Sequence, residues 1–487
     1  MRKRILSAVL LTAGLFLVSV VAGSLFAASN NNNSSGNSSN NRNSSGNNRN
    51  NNSSNNNNSD SSGYQSDLDY YRYGYRSAVG GFAIDAENSF RAASREEVAA
   101  MTEQVRSLLA EIPADLDREA PMRKVSLKRL GSLLARCAAE KTPVPDSALY
   151  LGGLTGIDYV VAVPEENDIY LAGPAEGWTV NQDGVIVGKS SGKPVLLLDD
   201  LLTVLRAWNT QTPEVITCSI DPSQEAIARM TALSMTNDAA ANEAAGREAM
   251  GRMNVSFTGI PADSRMAYVL AAADYKMKTL SLGFESAPIE KFPSYFSMLK
   301  RGNGSFGQRF WISPEYNTIK RDSDSLAWNL SSMTVKTMTE REYFDKDGTR
   351  RQSGKKDANA LRWAEMMTKR YGELAESVTV FAEAKNCMDI ALVAALVFME
   401  NLPQKAQCDT SVLTDDGVFS VSVGIAPETV PSDSLCRTLN ARGEMVSVTG
   451  GISINPFAAI ENNVELDETL GAVAKKIAFA GENWYAD

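Results

Sequence analysis

The chain has 487 residues and not one histidine. That absence excludes a catalytic triad built on an imidazole base, and it excludes the common zinc site that needs at least one imidazole ligand. Cysteine is scarce as well. The five, Cys137, Cys218, Cys387, Cys408 and Cys436, contain no C-x-x-C pair and are odd in number. Neither a zinc ribbon nor a disulfide framework can be written from that spacing. Cys137 and Cys387 sit among apolar helical residues and read as buried thiols, while Cys408 with Cys436 is the one pairing worth considering, because both lie in a loop-rich stretch. Basic charge is also in deficit. Lys and Arg number 48 against 58 Asp and Glu, a net charge of −10, so no nucleic-acid partner is expected. No cofactor or metal is implied, and no internal repeat emerges.

What is present begins with Arg2, Lys3 and Arg4, followed by an apolar run over residues 5–22 and small residues at Ser24, Ala27 and Ala28. Cations, an apolar run and small residues in that order make a secretory signal. The run approaches the roughly 20 residues that span a bilayer, so an uncleaved anchor through residues 5–28 is the alternative to cleavage. No cysteine lies near the cleavage sites, which argues against lipid attachment. The expected location is periplasm, cell envelope or cell exterior, with membrane contact only through this N-terminal segment. Residues 29–63 are almost entirely Asn, Ser and Gly, with too little apolar surface to offset chain entropy, and read as a disordered tether. Tyr64, Tyr70, Tyr71, Tyr73 and Tyr75 with Arg72 and Arg76 form either a docking patch or an edge that packs on the folded body.

Residues 64–487 read as an α/β (α+β) body in three parts: an N-terminal α+β domain over 64–190, an α/β domain over 191–290 and a C-terminal α+β domain over 291–487. Residues 80–91 alternate like a hairpin. Ser94 and Glu97 form a capping box that opens a helix running to Pro113, and a second helix covers residues 125–140. Residues 157–163 and 169–172 read as paired strands, and 178–180 and 185–187 flank the turn Gln182-Asp183-Gly184. In the middle, apolar segments at 195–198, 215–220 and 255–259 each lead into a helix, with Asp199 or Asp200, Asp221 and Asp263 as caps. Further on, a strand at 310–312 and strands over 326–343 turn back at residues 345–348. Two long helices follow at 357–374 and 377–402. The second holds ten consecutive apolar residues, 390–399, too few to cross a bilayer and suited to a buried helix. After Asp415-Asp416-Gly417, Phe419, Val421 and Val423 alternate with serines as a strand would.

Motifs that resemble sites have local explanations. Gly302-Asn303-Gly304-Ser305-Phe306-Gly307 fits G-x-G-x-x-G, but it follows a helical stretch and precedes a strand, the reverse of the dinucleotide-binding order. Ser-x-x-Lys recurs at Ser190/Lys193, Ser297/Lys300 and Ser353/Lys356 without the companion motifs of lysine-activated serine enzymes. Asp345-Lys346-Asp347-Gly348 and Asp322-Ser323-Asp324 lack the glutamate a calcium loop requires. Asp274 with Lys276 and Lys278 reads as cations at the negative pole of a helix. Paired carboxylates are the one hydrolytic device that needs no histidine. If the central strands are parallel, Asp199, Asp221 and Asp263 lie at the carboxyl edge where ligands often bind, although helix capping accounts for the same three. Trp178, at the start of its hairpin, and Glu176 just before it join them as binding candidates.

Several segments also carry a likeness: residues 171–178 ending Glu176-Gly177-Trp178, Cys218-Ser219-Ile220-Asp221-Pro222, Gly259-Ile260-Pro261-Ala262-Asp263-Ser264, residues 271–278, Phe292-Pro293-Ser294-Tyr295, Asn386-Cys387-Met388-Asp389 and Gly450-Gly451-Ile452. Together they resemble an uncharacterised family of exported planctomycete-type bacterial proteins, domain of unknown function 1598. The resemblance implies an envelope or secreted location and a shared fold, and it assigns no residue a role. The leading expectation is a non-catalytic binding or structural component of the cell envelope whose partner is an envelope protein or a glycan. A histidine-free hydrolase using paired carboxylates is the alternative.

Overall fold

Segments with a two-residue apolar repeat become strands here, and they collect into two large sheets with apolar helices packed against both. The computed structural model describes residues 82–84, 90–210, 213–299, 306–330, 333–344, 350–352, 357–421, 427–432, 435–439, 445–477 and 483–487, all belonging to one compact unit over Asp60–Asp487. The leader, the tether, the Tyr64–Tyr75 cluster, Gly302 and Gly304, Lys300, the turn at 345–348, Ser353/Lys356 and Val423 lie outside the described residues.

In chain order the strands are β1 (Phe82–Ile84), β2 (Phe90–Ala92), β3 (Ala120–Ser126), β4 (Tyr159–Val163), β5 (Asp168–Ala175), β6 (Trp178–Val180), β7 (Ile186–Gly188), β8 (Ile216–Asp221), β9 (Arg252–Thr258) and β10 (Phe306–Tyr316). They continue as β11 (Ile319–Arg321), β12 (Ala327–Asn329), β13 (Met333–Phe344), β14 (Arg350–Gln352), β15 (Thr429–Pro431), β16 (Cys436–Thr438), β17 (Met445–Ile454), β18 (Val464–Leu466) and β19 (Tyr485–Ala486). The principal helices are α1 (Arg95–Leu108), α2 (Leu127–Glu140), α3 (Leu198–Trp208), α4 (Gln224–Ala232), α5 (Ala239–Met250), α6 (Arg265–Leu282), α7 (Ala358–Lys369) and α8 (Thr379–Met399).

The first sheet has the order β14-β13-β10-β17-β8-β9-β15, with β16 also paired to β17, and the second has the order β18-β11-β12-β4-β5-β3-β19. Each sheet draws strands from both sides of residue 290, so the boundaries expected at 190 and 290 do not separate the sheets. α6 lies on β17 and β8, α8 packs on α6 and α3, and the short helix Leu402–Ala406 that follows α8 reaches β4 and β5. One apolar core therefore runs from the first sheet through the helices to the second, containing Ile220 and Ile452 at one side and Leu171 and Val160 at the other.

Several local expectations stand. Ser94 and Glu97 exchange the capping-box bonds, with Glu97 N–H donating to Ser94 Oγ at 3.1 Å and Ser94 N–H donating to Glu97 Oε2 at 2.8 Å. The β1–β2 and β6–β7 hairpins form, and residues 390–397 of α8 are buried on every side. No helix among the described residues is long and apolar enough to cross a membrane.

Others are corrected. Residues 195–197 form no strand, and α3 begins after Leu197 with no side-chain cap, so neither Asp199 nor Asp200 has that role. Ser223 caps α4 and Ser264 caps α6, displacing Asp221 and Asp263; a serine in extended backbone two or one residue later reaches the N3 amide instead. The central strands are not parallel, since β8 runs antiparallel to both β9 and β17, which removes the carboxyl-edge argument. α1 stops at Leu108, short of Pro113. Residues 418–421 form no strand, because Phe419 and Val421 pack singly against the core. The expected helix at 357–374 is broken between Lys369 and Tyr371. All five cysteines are buried, and Cys408 and Cys436 lie in different apolar clusters rather than in one disulfide.

Candidate functional site

Alternation along β8, β9, β10, β13 and β17 gives the first sheet two unlike faces. Ile216, Cys218 and Ile220, Phe310 and Ile312, and Ile452 and Ile454 are buried beneath α6 and α7. The intervening residues turn the other way and are mostly polar: Thr217, Ser219 and Asp221 on β8, Asn254, Ser256 and Thr258 on β9, Arg309 and Ser313 on β10, and Thr334 and Lys336 on β13, with Trp311 and Met338 the apolar exceptions. Register aligns Ser256, Ser219, Gly451, Trp311 and Met338 in one row across five strands.

Hydroxyl pairs link the neighbouring strands on this side, Ser219 Oγ to Ser256 Oγ at 3.0 Å and Thr217 Oγ1 to Thr258 Oγ1 at 2.7 Å, all in exposed positions. Trp311 is half-buried, with the Arg309 guanidinium 4.4 Å from its ring centre, and its cross-strand neighbour Met338 is 42% exposed. Arg309 Nη2 lies 3.9 Å from Asp221 Oδ2, and Lys336 Nζ pairs with Glu315 Oε1 at 2.8 Å. The floor of the row is Gly450-Gly451. Gly450 has φ +104°, and a Cβ there would stand 2.0 Å from Phe310 O; a Cβ on Gly451 would stand 1.9 Å from Cys218 O. Both glycines are required for β17 to lie this close to β10 and β8, and both are buried.

Beneath the sheet, α6 carries an ion pair that its sequence hides. Asp274 and Lys278 lie one turn apart on its sheet-facing side, both fully buried, with Nζ to Oδ2 at 2.5 Å and Nζ donating to Gly450 O at 3.0 Å. Burial pushes the Asp274 carboxyl up to about 7 against the pull of Lys278, and Asp221 adds to the rise. The two carboxylates therefore sit in opposite surroundings, Asp221 at the sheet surface and Asp274 behind it. Cys218 through Tyr295, meaning β8, α4, α5, β9, α6 and the start of the next short helix, supply one edge of this face and the buried pair.

Residues 218–295 match a family described as protein of unknown function, DUF1598. No curated protein and no solved structure matches the chain. The DUF1598 segment thus contributes Ser219, Asp221, Asn254, Ser256, Asp274 and Lys278, while Arg309, Trp311 and Gly450 come from beyond it.

Helix α6 also starts with a buried charge. Arg265 donates from Nη1 to Asp200 Oδ2 at 2.6 Å and from Nη2 to Glu383, joining α6 to α3 and α8. Asp200 Oδ1 and Glu383 Oε2 receive no hydrogen bond. Burial raises both carboxyls, Glu383 to about 7, with Arg265 opposing the rise and the second carboxylate adding to it for Glu383.

Of the binding candidates from sequence, only Asp221 belongs to the open face. Asp199 lies in the first turn of α3 and Asp263 is exposed before the α6 cap. Trp178 is core, edge-on to Tyr150, and the buried Glu176 accepts bonds from the Ser190 and Ser191 amides, holding the loop after β7. That loop is where Ser190 and Lys193 sit, so the Ser-x-x-Lys there is a loop fastening. Asp322 likewise closes its own turn by accepting from the Leu326 and Ala327 amides. A groove of about 370 Å³ at the far edge of the second sheet is lined by Arg118, Glu119, Lys124, Lys476 and Asp487. Burial works to raise the Asp487 carboxyl there, but Arg123 and Arg118 outweigh it and hold it low.

Sequence reasoning passed over Trp311, Arg309 and the two buried ionic clusters. For Trp311 a signal exists: it falls in phase with Arg309, Ser313 and Glu315, and out of phase with Phe310 and Ile312. An aromatic standing on the polar side of a strand is a surface feature to be explained.

Proposed function

We propose that this chain is an exported cell-envelope protein acting as a non-catalytic binding or structural component, held off the membrane by residues 29–63, with the open face of the first sheet as its binding surface. One observation carries the reading. The carboxyls that burial raises toward neutrality, Asp274 and Glu383, are enclosed and matched to Lys278 and Arg265, whereas the solvent side presents Trp311, hydroxyls and paired charges. Perturbed groups enclosed in this way serve packing, since a general acid must reach its substrate. The leader and the Asn/Ser tract support the location.

A photo-crosslinking residue placed at Ser256 in intact cells tests this. Stoichiometric capture of one envelope component supports it, and a chain found in the cytosol, or crosslinked only to itself, counts against it. One observation favours a hydrolase: Asp221 beside the raised carboxyl of Asp274 is a carboxylate pair with divided environments. Asp221→Asn abolishing a hydrolytic activity without loss of stability would favour that second reading.

A further inference from the structure

We propose that the open face of the first sheet binds a neutral saccharide chain, one sugar ring lying against Trp311 and Met338 with its hydroxyls met by Ser219, Ser256 and Asp221. The inference rests on reading that face as the binding surface, and it names the ligand class from three features.

Charge comes first. Arg309 faces Asp221 at 3.9 Å and sits opposite Glu340 in the β10–β13 register, and Lys336 is paired with Glu315. Cations and anions on this side cancel locally, so the face offers no net field to draw a polyanion such as nucleic acid or an acidic polysaccharide. The second feature is the apolar island. Trp311 and Met338 are neighbours in an otherwise polar field, and a pyranose has the matching character, with C–H bonds on its ring faces and hydroxyls at its rim.

Third, the hydroxyl pairs Ser219/Ser256 and Thr217/Thr258 repeat along two adjacent strands. They recur at about 7 Å along each strand and about 4.8 Å across the pair, a lattice of donors and acceptors suited to successive sugar units. A peptide would need an unpaired strand edge or an apolar groove, and this interior face, with β8, β17 and β10 each paired on both sides, supplies neither.

Isothermal titration calorimetry of the full-length protein with cellohexaose and chitohexaose, and with polygalacturonate as the anionic control, tests the proposal. Binding of at least one neutral hexasaccharide is expected, together with a loss of affinity of about tenfold or more in Trp311→Ala and a smaller loss in Trp311→Phe. Ser256→Lys, which places an unpaired charge on the shelf, should weaken binding as well. Ser256 is exposed and Trp311 half-buried, so thermal melts of each variant beside the parent separate lost binding from lost folding. Equal binding by Trp311→Ala, preference for polygalacturonate, or no binding of either neutral hexasaccharide overturns the proposal. If the hexasaccharides fail while Ser256 still crosslinks to an envelope component, the ligand class falls and the binding surface stands; if both fail, both fall.

Discussion

Arg265 holds two carboxylates inside the helical layer, and its replacement by methionine should cost stability in a pH-dependent way. Side chains of Arg265, Asp200 and Glu383 are 6%, 3% and 3% exposed, so solvent screens them little. Removing the guanidinium leaves two carboxyls that can stay buried only by taking up protons. At pH 8 that loss should cost about 3–5 kcal/mol, the usual penalty for orphaning a buried charge. At pH 5 protons are cheap and Glu383 already carries one, so the cost should fall to about 1–2 kcal/mol. The sign for the parent protein follows from the same group. Glu383 titrates near 7 in the fold against 4.5 for an ordinary glutamate, so its contribution is full below about 4.5 and is lost as pH rises through about 7. That interval is worth about 3 kcal/mol.

Glu383→Gln removes this titration. It should match the parent within about 1 kcal/mol at pH 5 and exceed it by about 2 kcal/mol at pH 8, the amide's unmet hydrogen bond offsetting part of the gain. Asp183 and Asp200 push Glu383 in the same direction and Asp199 acts on Asp200, so the slope belongs to the cluster rather than to one residue. Urea unfolding followed by circular dichroism at 222 nm, from pH 5 to pH 8, reads all of these. A cost for Arg265→Met that does not change with pH would refute the shared-proton account.

Lys278→Met should cost about 3–5 kcal/mol by orphaning Asp274, and adding Asp274→Asn should recover more than half of it, a coupling that a double-mutant cycle on melts measures. Gly450→Ala should lower stability by about 3 kcal/mol or more and disturb the Trp311 emission, because the new methyl would collide with the Phe310 carbonyl of the adjacent strand. Glu176→Ala should cost about 2–3 kcal/mol and expose residues 188–192 to protease, as the Ser190 and Ser191 amides lose their acceptor.

Local chemistry was legible wherever neighbours in sequence are neighbours in space. The Ser94–Glu97 box, the β6–β7 turn and the buried run in α8 all depend on spacings of two to four residues. Capping was misjudged by one or two residues at Asp221 and Asp263 because Ser223 and Ser264 follow closely, and only the backbone angle decides which oxygen meets the N3 amide. Parallel strands were the natural reading of strand and helix in alternation, yet β8 and β9 run antiparallel with two helices between them, a connection that sequence order does not distinguish.

The sequence by itself determined the exclusions and the local periodicities: no imidazole chemistry, an acidic chain, hairpins and long helices such as β6–β7 and α8, and a polar side to the strand that carries Trp311. Tertiary structure alone decided which distant residues meet. Arg309 reaches Asp221, Lys278 reaches Gly450, and Arg265 reaches Asp200 and Glu383, across separations of 65 to 172 residues for the hydrogen-bonded members. Asp274 and Lys278, an ordinary exposed pair by spacing, become a buried one because α6 is enclosed by the first sheet and by α8. Burial is a property of what lies opposite, and strand order, which sets it, is written in no single segment.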